Sequence, residues 1–204
     1  MNPLKAIAGV VMAVTGSAHA IEQPKFTVLK TTEVFEIRKY EPYVVAEVVV
    51  AGPATEAGNQ AFPILAGYIF GKNKGERKFD MTAPVTQTAV SVPVKLEMTA
   101  PVTQTLSAEG FLVQFMMPGA YTLATLPEPL DARVKLREIP EQTVAVIKYS
   151  GTWSQTNYDE HLGMLKNALS QASIATQGEP VYSRYNAPFT PWFLRTNEIW
   201  FRVK

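Results

Sequence analysis

A repeated pattern runs through the chain and limits the folds available to it more than any other feature. When the sequence is shifted by 99 residues, Val45-Ala46 aligns with Val144-Ala145, and Gly52 aligns with Gly151. In each copy two β-branched and aromatic runs precede the glycine, and an amphipathic segment follows it. This order predicts strand, strand, glycine and helix twice in one chain.

The first copy begins with runs at 34–40 and Tyr43–Val50, and the Glu41-Pro42 between them is typical of a β-hairpin. The segment Ala54–Phe70 has apolar side chains near helical spacing. Pro63 lies inside it and is expected to kink or split the helix.

The second copy contains the most regular helical pattern. From Tyr158 to Ala172, apolar side chains recur at steps of three and four along one face. Thr156 and Asp159 have the spacing of a capping box at its start. Two strands are predicted after each helix. After the second helix they lie at 181–185 and 198–203, and after the first helix they lie around Lys95–Val102 and at Phe111–Met117.

The predicted fold class is α+β. A pseudo-twofold β-β-α-β-β repeat would form a distorted, eight-stranded antiparallel barrel or sheet with two helices. The domain is predicted to span 34–204, with halves at 34–118 and 133–204 and a lead-in at 21–33.

The first twenty residues have the features of a signal peptide. Lys5 is followed by the small and apolar run Ala6–Thr15, and Ala18-His19-Ala20 matches the pattern that signal peptidase cleaves. A run of ten residues is too short to cross a bilayer, which needs about 20. We therefore expect cleavage after Ala20, export to the periplasm, and no membrane span in the mature chain.

Composition excludes several kinds of chemistry. The chain has no Cys and a net charge of +1, which exclude thiolate sites and argue against nucleic-acid binding. Cleavage removes His19 and leaves His161 as the one imidazole. No nucleophile elbow, zinc motif or phosphate loop is present, so the prediction is a protein that is not an enzyme.

A shorter repeat lies inside the first half. Lys78–Thr88 recurs as Lys95–Thr105 with nine of eleven positions identical, and each copy contains Met-Thr-Ala-Pro-Val. Each proline favours a strand edge or end. We expect the second copy to form the strand that precedes Phe111–Met117 and the first copy to be an inserted arm.

These residues carry a family resemblance. The motifs Tyr40–Glu47, Lys-x-x-Met-Thr-Ala-Pro-Val, Phe115-Met-Met-Pro118 and the segment 185–198 resemble motifs of the SOUL heme-binding protein family and follow one another in that family's order. The doubled Met-Thr-Ala-Pro-Val is similar to bacterial members. The resemblance implies a barrel similar to effector-binding domains and a ligand that is heme or a related tetrapyrrole.

The resemblance places that ligand in an apolar cleft against the first helix, where Leu65, Tyr68 and Ile69 would contact it. Charged anchors of the vertebrate members are absent here, because Asn59, Ala66, Gly67 and Thr190 occupy those positions. Lys72 and Lys74, in a glycine-rich turn, are candidates to meet the propionates or else belong to a solvated cationic loop.

His161 is the candidate axial ligand for heme iron, because imidazole is the commonest protein ligand for that metal. The alternative is that it hydrogen-bonds a neighbouring group, and Tyr158, one turn earlier, could be its partner in either case. The predicted function is an exported protein that buffers or transfers heme. The alternatives are a module that binds another small molecule and a hydrolase that uses a carboxylate such as Glu36, Glu47 or Glu198. The sequence identifies no protein partner.

Overall fold

The computed structural model describes residues 21–93, 107–186 and 189–204. The predicted signal peptide and the second Met-Thr-Ala-Pro-Val copy lie outside the described residues. In the described part, nine strands form one sheet, and two α-helices pack on one face of that sheet. In chain order these are β1 (Phe26–Thr31), β2 (Glu36–Tyr40), β3 (Tyr43–Ala51), α1 (Ala54–Ile69), β4 (Val85–Pro93), β5 (Ser107–Met116), β6 (Lys135–Ile139), β7 (Gln142–Tyr149), α2 (Gln155–Gln171), β8 (Thr176–Arg184) and β9 (Asn197–Val203).

The sheet is antiparallel and reads as a palindrome of the two halves. Its strand order is β1-β2-β7-β9-β8-β4-β5-β3-β6. The repeat matches β2, β3, β4 and β5 with β6, β7, β8 and β9. Outward from the boundary between β4 and β8, the order is β4-β5-β3-β6 on one side and β8-β9-β7-β2 on the other, so corresponding strands occupy corresponding places. The predicted pseudo-twofold α+β architecture is therefore confirmed, with its axis passing between those two strands.

The ninth strand, β1, falls in the predicted lead-in. It pairs with β2 alone, at one edge of the sheet, and all six of its residues are exposed. The prediction of eight strands rested on the repeat, and β1 has no counterpart among the described residues of the second half.

The prediction of a hairpin at Glu41-Pro42 is wrong. β2 pairs with β7, from Glu36 opposite Val146 to Tyr40 opposite Gln142, whereas β3 pairs with β5 and β6. A type I′ hairpin turn needs a positive φ at both central residues, which Pro42 cannot adopt because its ring fixes φ near −65°. A type II′ turn needs a positive φ at the first central residue, a position that favours glycine and that Glu41 occupies here. The chain therefore crosses between two parts of the sheet at this point.

The first Met-Thr-Ala-Pro-Val copy is part of the sheet and is not an inserted arm. β4 begins at Val85, inside that copy, and pairs without interruption with β5 from Val85–Phe115 to Pro93–Ser107. Its first four residues also pair with β8. The buried Thr82 hydroxyl donates to the Met116 carbonyl oxygen just before the strand begins.

Both helices begin where the repeat predicts. Gly52 and Gly151 precede them with φ of +112° and +114°, values that glycine adopts without strain. Pro63 does not split α1, which continues from Ala54 to Ile69. The predicted capping box is replaced by Ser154, whose hydroxyl accepts a hydrogen bond from the Asn157 backbone N–H.

Each helix covers its own half of one sheet face. Leu65 and Tyr68 of α1 pack against a cluster that includes Val48, Val113 and Phe115. The second cluster forms around α2 from Leu165, Leu169, Ile147, Ile199 and Phe201. On the opposite face a third cluster contains Tyr40, Val144, Val146, Val181 and Trp200. The two helix-side cores leave a gap at the pseudo-twofold axis.

Candidate functional site

A cleft of about 250 Å³ lies at that gap. It is bounded by the first turns of α1 and α2 and by strands β4, β5 and β8, so residues of both halves line it. Its position follows from the topology, because neither helix extends across the boundary between β4 and β8. The cleft is the place where the two copies of the repeat face one another.

Aromatic side chains form one wall of the cleft. Trp153, Tyr158, Tyr182 and Phe111 line it, and the rings of Tyr158 and Tyr182 meet edge to face with centroids 5.3 Å apart. Burial, and next the carboxylate of Asp159, raise the pKa of Tyr158 to about 12. That phenol is therefore protonated at neutral pH, and the wall is apolar with hydroxyl edges.

Arg184 brings positive charge into this aromatic wall. The Arg184 guanidinium carbon lies 4.8 Å from the Trp153 ring centroid and 4.9 Å from that of Tyr182. Arg184 Nε is buried and has no hydrogen-bond partner among the described residues. In that part of the chain Arg184 also forms no salt bridge.

The two halves contribute unequally to the cleft. When β3 is aligned with β7 by the repeat, the pairing registers of the neighbouring strands align β4 with β8. In this alignment Gln87 of β4 corresponds to Tyr182 of β8, and Ala89 corresponds to Arg184. All four residues line the cleft. Trp153 has no counterpart, because α2 begins four residues after its glycine and α1 only two. The second half therefore supplies the charge and most of the aromatic surface.

Of the predicted site residues, Tyr158 lines the cleft and His161 does not. The His161 ring stacks on Tyr149 of β7, with centroids 4.0 Å apart and an interplanar angle of 14°. Its Nδ1 lies 2.7 Å from the Asn157 carbonyl oxygen, and because a carbonyl only accepts, Nδ1 carries the proton. This is the alternative in which the histidine hydrogen-bonds a neighbouring backbone group.

Leu65, Tyr68 and Ile69 do not line the cleft either. Their side chains are at most 1% exposed in the core under α1, so a ligand could reach them only by displacing that core. The Tyr68 hydroxyl donates to the Pro127 carbonyl oxygen. The described side chains under α1 are therefore packed as a core and leave no ligand pocket around these three residues.

Lys72 and Lys74 follow the far end of α1. About 20 Å of helix separates them from the cleft at its first turn, given a rise of 1.5 Å per residue. The Lys72 side chain lies across Gly67, and Lys74 Nζ forms an exposed salt bridge with Glu128 Oε2 at 2.5 Å. Neither lysine is within reach of the cleft.

The carboxylates considered for hydrolysis lie elsewhere. Glu198 is buried on the opposite sheet face, where it accepts hydrogen bonds from Arg38 Nη1 at 2.9 Å and Tyr185 Oη at 2.6 Å. Glu36 also pairs with Arg38, and Glu47 pairs with Arg137. In the part of the chain that the structure describes, the carboxylate that lines the cleft is the exposed Glu179.

The described residues contain no group of three or more His, Cys, Asp or Glu side chains placed to hold a metal ion. No helix within 21–93, 107–186 and 189–204 has both the length and the apolar character that a membrane span needs.

Comparison with known sequences gives a family match along nearly the whole chain. A family model described as SOUL heme-binding protein matches residues 21–202. Heme-binding protein 2 of Mus musculus is 28% identical over 168 residues, which cover 81% of this chain and 76% of the relative. Heme-binding protein 1 of Xenopus tropicalis is 27% identical, with 82% of each chain covered.

Solved structures share the fold at low identity. An uncharacterised conserved protein from Listeria innocua has a TM-score of 0.61 at 12% identity, covering 84% of this chain and 92% of that one. The C-terminal domain of EcmrR has a TM-score of 0.57 at 11% identity, covering 83% and 96%. A hydrolase from Listeria innocua has a TM-score of 0.54 at 11% identity, covering 86% and 94%. These folds are of the effector-binding-domain type.

Proposed function

The chain belongs to the SOUL heme-binding protein family, and from this premise we propose that it binds heme or a related tetrapyrrole in the cleft between its two helices. The observation that carries the proposal is the aromatic wall of Trp153, Tyr158, Tyr182 and Phe111. Flat ligands stack on such side chains, and burial of apolar area contributes roughly 25 cal/mol per Å².

The size of the cleft supports reversible binding. Its volume of about 250 Å³ lies just below the roughly 300–1,000 Å³ typical of small-molecule sites, so a tetrapyrrole would project partly into solvent. A ligand that keeps one edge exposed can leave without unfolding of the protein. We therefore propose a role in buffering or passing on the ligand.

The cleft supports binding through the ring system more than through an iron bond. Among the described residues its lining contains no His or Met side chain, and His161 faces Tyr149 instead. Tyr158 and Tyr182 are the phenols at hand, and the raised pKa of Tyr158 disfavours the tyrosinate that binds ferric iron. Metal-free protoporphyrin IX should consequently bind within about threefold of hemin.

The test is a titration of the purified protein with hemin, followed by the Soret band, and with metal-free protoporphyrin IX, followed by fluorescence. Saturable binding of both at micromolar concentration is expected. Trp153→Ala should weaken both by about tenfold, whereas Trp192→Ala is the matched control because Trp192 is 58% exposed and outside the cleft. No saturable binding, or an equal effect of the two substitutions, would contradict the proposal.

A spectrum that depends on His161 would contradict the absence of an iron bond. We expect the Soret maximum of His161→Ala with bound hemin to match that of the unmodified protein. A shift in that maximum would assign the ligand to His161 and require the α2 helix to move away from Tyr149.

We also propose that the protein is exported and has no enzymatic activity. The support for export is the Lys5 to Ala20 segment, and intact mass measurement after expression in a Gram-negative host should show loss of residues 1–20. The support for a binding role is that Glu179 is exposed and that the described residues of the lining include no histidine beside it. Turnover of an ester substrate that is lost in Glu179→Gln would contradict that role.

A further inference from the structure

Arg184 enters the cleft, and no salt bridge within 21–93, 107–186 and 189–204 pairs its charge. Its Nε is buried and unpaired among the described residues, and its guanidinium group lies near the rings of Trp153 and Tyr182. Aromatic faces attract a cation but do not accept its N–H groups in hydrogen bonds as an oxygen does. A buried donor that is left unpaired is costly, which favours a ligand that brings an acceptor.

The surrounding charges favour an anionic acceptor. A second guanidinium group, that of Arg195, lies 4.2 Å from the Trp153 centroid, so two cations flank one indole. The carboxylate of Glu179 lines the same cleft but is exposed, where solvent screens it. An anionic ligand stacked on Trp153 would therefore lie beside two guanidinium groups and one exposed carboxylate.

Space for the guanidinium group depends on a glycine in α1. A Cβ added to Gly58 would lie 3.2 Å from Arg184 Nη1, closer than most such contacts. Because Gly58 has no side chain, the Arg184 side chain fits between α1 and the sheet. The arginine is thus held by packing on three sides, by Gly58, Trp153 and Tyr182, with its charge at the cleft.

We propose that Arg184 binds a carboxylate of the ligand, so that the cleft selects flat aromatic molecules that carry an acid group on one edge. The inference rests on the proposed function for the identity of the ring but names a separate requirement, the acid. Guanidinium and carboxylate form paired, charge-assisted hydrogen bonds, which the ester of the same molecule cannot match.

The experiment compares acids with their esters. The purified protein is titrated with metal-free protoporphyrin IX and its dimethyl ester, and with 1-pyrenebutyrate and its methyl ester, each followed by ligand fluorescence. The unmodified protein should bind each acid about ten- to a hundredfold more tightly than its ester, the range expected for hydrogen bonds to a charged group. Arg184→Gln should remove this preference by weakening the acids and leaving the esters unchanged.

Two further variants separate charge from packing. Arg184→Lys should keep part of the preference for acids, whereas Arg133→Gln, which removes an exposed arginine outside the cleft, should keep all of it. If Arg184→Gln weakens acids and esters equally, its role is packing and the inference is overturned. Unchanged binding of the acids by Arg184→Gln also overturns it.

The two ligand pairs distinguish this inference from the proposed function. If 1-pyrenebutyrate binds through Arg184 and neither porphyrin binds, the carboxylate site stands and the tetrapyrrole proposal falls. If both porphyrins bind without regard to the acid, the tetrapyrrole proposal stands and the carboxylate site falls. If no acid binds, both fall.

Discussion

Replacement of Glu198 by glutamine tests the buried ion pair on the sheet face opposite the helices. Glu198 is 4% exposed and accepts hydrogen bonds from Arg38 and Tyr185. Arg38 is 5% exposed, and its remaining carboxylate partner is Glu36. Burial alone would lower the pKa of Arg38, but Glu198, Tyr40 and Glu36 together raise it.

The geometry sets the size of the effect. At the 2.9 Å between Arg38 Nη1 and Glu198 Oε1, the attraction is on the order of 6 kcal/mol at an effective dielectric constant of 20, and the desolvation of both ions offsets much of it. Removal of one partner leaves the other charge buried, which typically costs about 3–5 kcal/mol. Because the glutamine keeps the shape and a neutral acceptor, we expect a loss of about 3 kcal/mol.

Glu47→Gln is the matched control. Glu47 also pairs with an arginine, but that arginine, Arg137, is 47% exposed, and such pairs contribute about 1 kcal/mol or less. The measurement is urea unfolding followed by circular dichroism, together with thermal unfolding. For a domain of this size about 3 kcal/mol corresponds to a decrease in Tm of roughly 6–12 °C.

The reasoning would be refuted if Glu198→Gln lost less than about 1 kcal/mol, or no more than Glu47→Gln. A loss that disappeared at high salt would also refute it, because salt screens exposed pairs far more than buried ones. Porphyrin binding should be unchanged in both variants, since neither glutamate lines the cleft.

Three smaller predictions follow from the turns and the tyrosines. Gly151→Ala should cost about 1 kcal/mol more than Gly52→Ala in urea unfolding: both have positive φ, but only at Gly151 would a Cβ lie 2.8 Å from Asn157 Nδ2. Ser154→Ala should cost about 1 kcal/mol in the same assay, because it removes the cap of α2. Burial, and next Tyr40, raise the pKa of Tyr43 to about 12, above its unfolded value of about 10. Tm should therefore be steady below pH 10 and fall between pH 10 and 12, and Tyr43→Phe should lessen that fall; equal falls would contradict the assignment.

The fold was largely predictable because each copy of the repeat carries its own periodic signal. The offset that aligns Gly52 with Gly151 located both helices and the strand before each. The pairing of the strands was harder to predict, because the same alternating pattern is compatible with a neighbouring strand from either half. The exposed edge strand Phe26–Thr31 was missed because the prediction relied on the repeat, which does not extend to it.

The site was less predictable than the fold. Tyr158 was found from its place on the apolar stripe of α2, but that stripe could not show that His161 turns to Tyr149. Arg184 and Trp153 were missed, because a charge on a strand is usually exposed and an aromatic in a loop is common. Two features of the sequence could have indicated them. Tyr182 and Arg184 alternate along one strand and so share a face, and the segment between Gly151 and α2 is longer than the segment between Gly52 and α1.

The crossing at Glu41-Pro42 has a consequence for how the chain acquires its structure. Glu36 faces Val146 across the β2–β7 ladder, and Tyr43 faces Ile139 across the β3–β6 ladder, so each half lends a strand to the other. Partners this distant in sequence close large loops before they gain stability, which slows folding. During synthesis, β2 must therefore remain unpaired with β7 until more than half of the protein has been made. Separation of the two halves would break three ladders, β2–β7, β3–β6 and β4–β8, and would leave six strands with an unpaired edge instead of yielding two small domains.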